Sequence, residues 1–137
     1  MASKQEEFEQ LKYLYDAYTR EYEAVVGEIS NYMMAASAFD RNLQVFDNID
    51  KLQNANMLVG LEGGTYLQTS TKEVKSVITS VGAGYLVEKK VEDAKQMVSA
   101  NHEKLQKNMK QLIEQRQKLE KEIMDITSKI NSLQQTQ

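Results

Sequence analysis

Proline, cysteine and tryptophan are absent from this chain of 137 residues, and histidine occurs once. Each absence removes a class of structure or chemistry. Without cysteine there is no disulfide, no thiolate metal site and no cysteine nucleophile. With His102 alone, there is no histidine pair to hold a metal. Glycine is scarce too: all six lie between Gly27 and Gly84, five of them between Gly60 and Gly84. Chain-breaking chemistry is therefore confined to the middle, with long unpunctuated stretches on either side. No apolar run reaches the roughly 20 residues needed to span a bilayer. The opening MASKQEEFEQ is acidic and polar, unlike a secretory leader. The expectation is a soluble cytoplasmic protein with no membrane partner.

Charge is modest, with a formal net value of −3, but unevenly placed. Residues 1–56 carry five basic and ten acidic side chains, and residues 89–137 carry ten basic and seven acidic ones. Two solvated helix faces would account for this, and so would oppositely charged arms attracting each other across a coiled coil. Neither half has the clustered basic face that nucleic acid favours, so no nucleic-acid partner is expected.

What is present is a repeat. Alternating steps of three and four residues from Phe8 visit Leu11, Tyr15, Tyr18, Tyr22, Val25, Ile29, Tyr32, Ala36, Phe39, Leu43 and Phe46, all apolar or aromatic. That alternation is a coiled-coil seam, because 3.5 residues per turn keeps one stripe facing one partner. Only Gly27 interrupts it, at a cost of about 1 kcal/mol relative to alanine, and it marks a plausible bend. The same alternation runs from Val91 through Lys95, Val98, His102, Leu105, Met109, Leu112, Arg116, Leu119, Ile123, Ile126 and Ile130 to Leu133. Each stripe covers about six heptads, or about 65 Å of helix at 1.5 Å per residue. Equal arms joined by a short middle predict an antiparallel helical hairpin: a first helix over 5–54 and a second over 90–134, within one domain over 1–137.

Between them, residues 57–88 read MLVGLEGGTYLQTSTKEVKSVITSVGAGYLVE, rich in valine, threonine and tyrosine. Strands are expected at Met57–Leu61, Thr65–Ser70, Val74–Val81 and Tyr85–Glu88, with tight turns at Glu62–Gly64 and Gly82–Gly84. The predicted fold class is mainly α with a small β part, a coiled-coil hairpin carrying two β-hairpins. Such hairpins are marginal alone and have unpaired edges, so they need neighbours, and other subunits are the obvious supply. The expected assembly residues are Leu58, Val59, Leu61, Tyr66, Leu67, Val77, Ile78, Val81, Tyr85 and Val87.

Here the sequence resembles an alpha-class prefoldin subunit. The most specific piece is Ser80–Lys89, SVGAGYLVEK, followed by Val91–Lys95, VEDAK. Alpha-class prefoldins carry a similar valine-glycine-x-glycine-x-x-valine-glutamate-lysine stretch at the last hairpin. Leu58–Tyr66 resembles the family's first hairpin, although the family often has proline at the position of Gly60 and a small residue near Glu62. Two hairpins favour the alpha over the beta class. The resemblance implies a hexamer of two alpha-class and four beta-class subunits, built on a β platform. It also implies coiled-coil tips that hold non-native polypeptides and pass them to a cytosolic, group II chaperonin without nucleotide.

Other suggestive features read as structure. Gly82-Ala83-Gly84 is followed by Tyr85-Leu86-Val87, a strand pattern rather than the helix N-terminus a phosphate cradle requires. Glu62-Gly63-Gly64-Thr65 lacks the lysine of a P-loop. His102 occupies a seam seat, where a polar residue more often fixes register than catalyses. Lys95 and Arg116 can bury their stems and keep their charges wet. No enzyme activity, cofactor or metal is expected. The candidate client-binding tip comprises Phe8, Leu11, Tyr13, Leu14 and Tyr15 with Ile126, Ile130 and Leu133. For Leu11, Ile126 and Ile130 plain seam packing competes with that reading, whereas Tyr13 and Leu14 lie off the seam and suit an adhesive patch. The rival function is a structural tether whose tips bind a folded partner.

Overall fold

The computed structural model describes residues 3–135. In chain order they form α1 (Lys4–Asp47), a 3₁₀ turn (Ile49–Leu52), β1 (Asn56–Leu61), β2 (Thr65–Ser70), β3 (Ser76–Gly82), β4 (Tyr85–Lys90) and α2 (Val91–Gln135). The coiled-coil and double-hairpin architecture expected from the spacing is the one found. Helix α1 opens on a capping box: the Glu6 amide donates to Ser3 Oγ at 3.2 Å, and the Ser3 amide donates to the Glu6 carboxylate at 3.3 Å. It runs unbroken through Gly27.

The first helix ends at Asp47 rather than at residue 54. Asn48 leaves the helix at φ −110°, ψ 21°, and its side-chain amide donates back to the Gln44 carbonyl at 2.8 Å. Asparagine competes well for backbone groups at such an end. Strand β3 begins at Ser76 rather than Val74, because the Gln53 side chain takes both backbone groups of Val74. Strand β4 continues to Lys90 and passes into α2 without a loop.

Contacts divide the chain into two compact units, one built from the stretch up to Ala35 together with that from Leu105, the other from Ala36–Lys104. In the first, Val25, Ile29 and Leu119 are buried, with Tyr18, Tyr22, Leu112 and Ile113 packed around them. In the second, Phe46, Ala94 and Val98 are buried beneath Phe39, Leu43, Val77, Val91 and Met97. Every seam seat named above is buried or half-buried except Tyr15. Ala94 and Ile113 lie beside the expected stripe and join the packing all the same.

The polar seam seats lie beside carboxylates. His102 Nε2 lies 3.0 Å from Asp40 Oδ1, with the ring edge-on to Phe39 at 6.3 Å. Lys95 reaches Asp47 at 3.1 Å, and Arg116 lies 3.7 Å from Glu120.

The two hairpins are antiparallel and separate. In the first, Val59 pairs with Leu67 and Gly60 with Tyr66; the Tyr66 ring lies over the glycine, 4.0 Å from where a Cβ would stand. Gly63 and Gly64 take φ of +78° and +81° in the turn, conformations other residues resist. In the second, Thr79 pairs with Val87 and Ile78 with Glu88, with a bulge at Val81 before the Ala83-Gly84 turn.

Candidate functional site

Two of the surfaces that carry exposed apolar groups coincide with the expected sites, and each follows from how its element alternates. The first is formed by the ends of α1 and α2 in the first unit. Tyr13 is 71% exposed and Leu14 is also open to solvent, both lying off the packed stripe, and Tyr15 is open although it occupies a seam seat. Leu11, Leu14 and Leu133 come together in a groove of about 570 Å³, with Glu7 and Lys129 among its polar lining. Phe8 meets Leu133 in a second groove of about 600 Å³. Tyr13 and Leu14 line a third, beside Glu6, Glu9 and Gln10. Ile130 is half-buried.

For Ile126 two readings competed, a place in the adhesive tip and plain seam packing, and it is only 6% exposed. Its seat falls in the seam, and a side chain so covered has no free face to offer. It is a packing residue.

The second surface is the pair of hairpins. On β1–β2, pairing places Met57, Val59, Leu61 and Leu67 on one face and Leu58 and Tyr66 on the other. Every residue of both strands is exposed. A ribbon that is apolar on both faces is suited to being covered from both sides. On β3–β4 the faces differ. Val77, Thr79 and Val87 turn inward and are half-buried, whereas Ile78 (72% exposed), Leu86 and Tyr85 are open. Val77 was expected in the assembly surface, but it packs on the Phe46, Ala94 and Val98 core. The period of two forces this: adjacent strand residues face opposite ways, so Val77 and Ile78 cannot share a surface. Val81, 52% exposed, sits in the bulge.

The expected list omitted Leu86 and a group on the outer side of α1, Val26, Met33 and Met34, all exposed. Leu86 was legible as the alternate of Val87. The methionine group was legible as apolar residues off the stripe. Among the described residues no set of three or more His, Cys, Asp or Glu could hold a metal ion, and no helix is long and apolar enough to cross a membrane.

This arrangement has counterparts among known proteins. A family model described as prefoldin subunit matches residues 15–136. Prefoldin subunit alpha of Methanothrix thermoacetophila is 25% identical over 111 residues, covering 80% of this chain and 72% of its own. Its counterpart from Pyrococcus horikoshii is 23% identical over 139 residues, covering 100% of this chain and 94% of its own. Among solved structures, the cryo-EM structure of filamentous PFD from Methanocaldococcus jannaschii has a similar fold. Its TM-score is 0.53 at 20% identity, with 89% of this chain and 96% of that one covered. With the family model spanning both helices and both hairpins, the chain belongs to the prefoldin family, as an alpha-class subunit of that chaperone.

Proposed function

We propose that this subunit works in the cytoplasm as part of an ATP-independent holdase. In this reading the helix ends of the first unit capture non-native polypeptides, and the hairpins join it to beta-class subunits in a hexamer of two alpha and four beta chains. The held clients then pass to a group II chaperonin.

The observation that carries the capture reading is the exposed Tyr13–Leu14 pair beside the groove of Leu11, Leu14 and Leu133. Shallow apolar grooves on helix ends make many weak, interchangeable contacts, each worth about 25 cal/mol per Å² of apolar area covered. That suits a chain with no fixed shape better than a single folded partner. Helix ends also open locally at low cost, which lets the surface adapt.

The test compares intact complex with one lacking residues 1–14 and 130–137, using light scattering of a diluted denatured protein without ATP. The second unit keeps its own core (Phe46, Ala94 and Val98) and both hairpins, so the truncated chain should still assemble. Protection should fall sharply, and by more than for either single deletion. Equal protection by both complexes would remove the tips from client holding and favour the tether.

A further inference from the structure

The two hairpins are rooted in different ways. Strand β3 lays Val77 on the buried Phe46, Ala94 and Val98, and β4 runs straight into α2. The β1–β2 hairpin has no comparable anchor. Both its strands are exposed throughout, and neither buried cluster includes a residue of β1 or β2.

What holds it is a half-buried knot at its root. The Gln53 side chain accepts a hydrogen bond from the Val74 amide at 2.6 Å and donates to the Val74 carbonyl at 3.1 Å. One amide thus satisfies both backbone groups of a single residue, the pattern by which a neighbouring strand would grip it. Thr71 closes the other side. Its hydroxyl accepts from the Ala55 amide at 3.0 Å and donates to the Leu52 carbonyl. The Thr71 amide donates to the Ala55 carbonyl at 2.8 Å, and Asn54, at φ +49°, donates to Lys72 at 3.2 Å. The side-chain bonds tie the end of the 3₁₀ turn to the crossover between hairpins.

The geometry points to Gln53 and Thr71 as positioning residues, a polar clasp that fixes the direction in which β1–β2 leaves the base and so readies it to dock on neighbouring subunits. This rests on the assembly reading above. The physical basis is population. An arm free to swing spends little of its time in the docking orientation, and apparent affinity falls in proportion to that fraction. Holding the arm in place removes that loss without adding a contact to the partner.

The chain has no cysteine, so spin labels can be placed cleanly at Gln68→Cys and Glu92→Cys in the full-length protein. Electron–electron double resonance should give a narrow distance distribution. Adding Gln53→Ala with Thr71→Val should broaden it by about twofold or more, while helical circular dichroism stays the same. Thr71→Ser, which keeps the hydroxyl, should leave it narrow. With a beta-class partner, the double variant should need about tenfold more protein to reach half-assembly, and Thr71→Ser should behave as the parent. A distribution as narrow as the parent's, or an unchanged assembly midpoint despite broadening, would overturn the clasp. Failure of the parent chain to assemble at all would strike the proposed function instead, and the distance measurement would still decide the clasp.

Discussion

Leu119 and Leu14 show how much a leucine's seat decides. Leu119 is 4% exposed between the helices, whereas Leu14 is 41% exposed on the rim of a groove. Leu119→Ala should cost about 2–4 kcal/mol in urea unfolding, the loss of transfer energy plus a cavity that the long helices cannot close. Leu14→Ser should cost less than about 0.5 kcal/mol. Comparable losses at both seats would contradict the packing described. His102 behaves differently from either. Its side chain is only 14% exposed, while its partner Asp40 is 60% exposed. A polar group in a seam holds register at a cost in stability, and Asp40 would be left in water rather than stranded. His102→Leu should therefore raise the melting temperature; a fall would mean that the contact with Asp40 is a net stabiliser. The spacing of apolar residues located nearly every covered seat, because a seam has one period. Ala94 was not legible that way: alanine carries little hydropathy signal, yet its small size lets it reach 0% exposure at the crowded base.

At the scale of elements, both helices and both hairpins were readable from period and glycine placement, but the joints between them were not. The end of α1 depends on Asn48 turning its amide back on Gln44, and the start of β3 depends on Gln53, twenty-one positions upstream of Val74. Neither is a periodic signal. Strand sidedness gives a sharp prediction. Ile78→Asp should leave the helical circular dichroism and thermal melt of the isolated chain nearly unchanged, yet block assembly with a beta-class partner in size-exclusion chromatography. Val77→Asp should lower the melt itself, since it places a charge against the Phe46, Ala94 and Val98 core. If the two variants behaved alike, the assigned faces of β3–β4 would be wrong. In the first hairpin, Gly64→Ala should weaken β1–β2 pairing by about 1 kcal/mol, because φ there is +81°. Faster hydrogen exchange confined to β1 and β2 would report it.

For the molecule as a whole, the uneven charge of the two arms produces few direct pairs. Among the described residues, Lys95–Asp47 is the ion pair seen between α1 and α2, and His102 Nε2 lies 3.0 Å from Asp40 Oδ1. Gln115 and Tyr22 instead reach across to Glu21 and Glu120 as neutral donors. An exposed pair such as Lys95–Asp47 contributes at most about 1 kcal/mol and is screened by salt. The chain's melting temperature should thus change by only a few degrees between low and high sodium chloride. A large drop would restore charge attraction as a main source of stability. The β1–β2 ribbon carries a different consequence, one of dosage. A copy made in excess of its partners would present bare apolar strands with open edges, features that drive aggregation. Unpartnered, it would itself be a chain in need of a chaperone. Its synthesis then has to be matched to that of the subunits that cover it. Expressed alone, it should accumulate poorly or aggregate, and co-expression of a covering subunit should restore soluble yield.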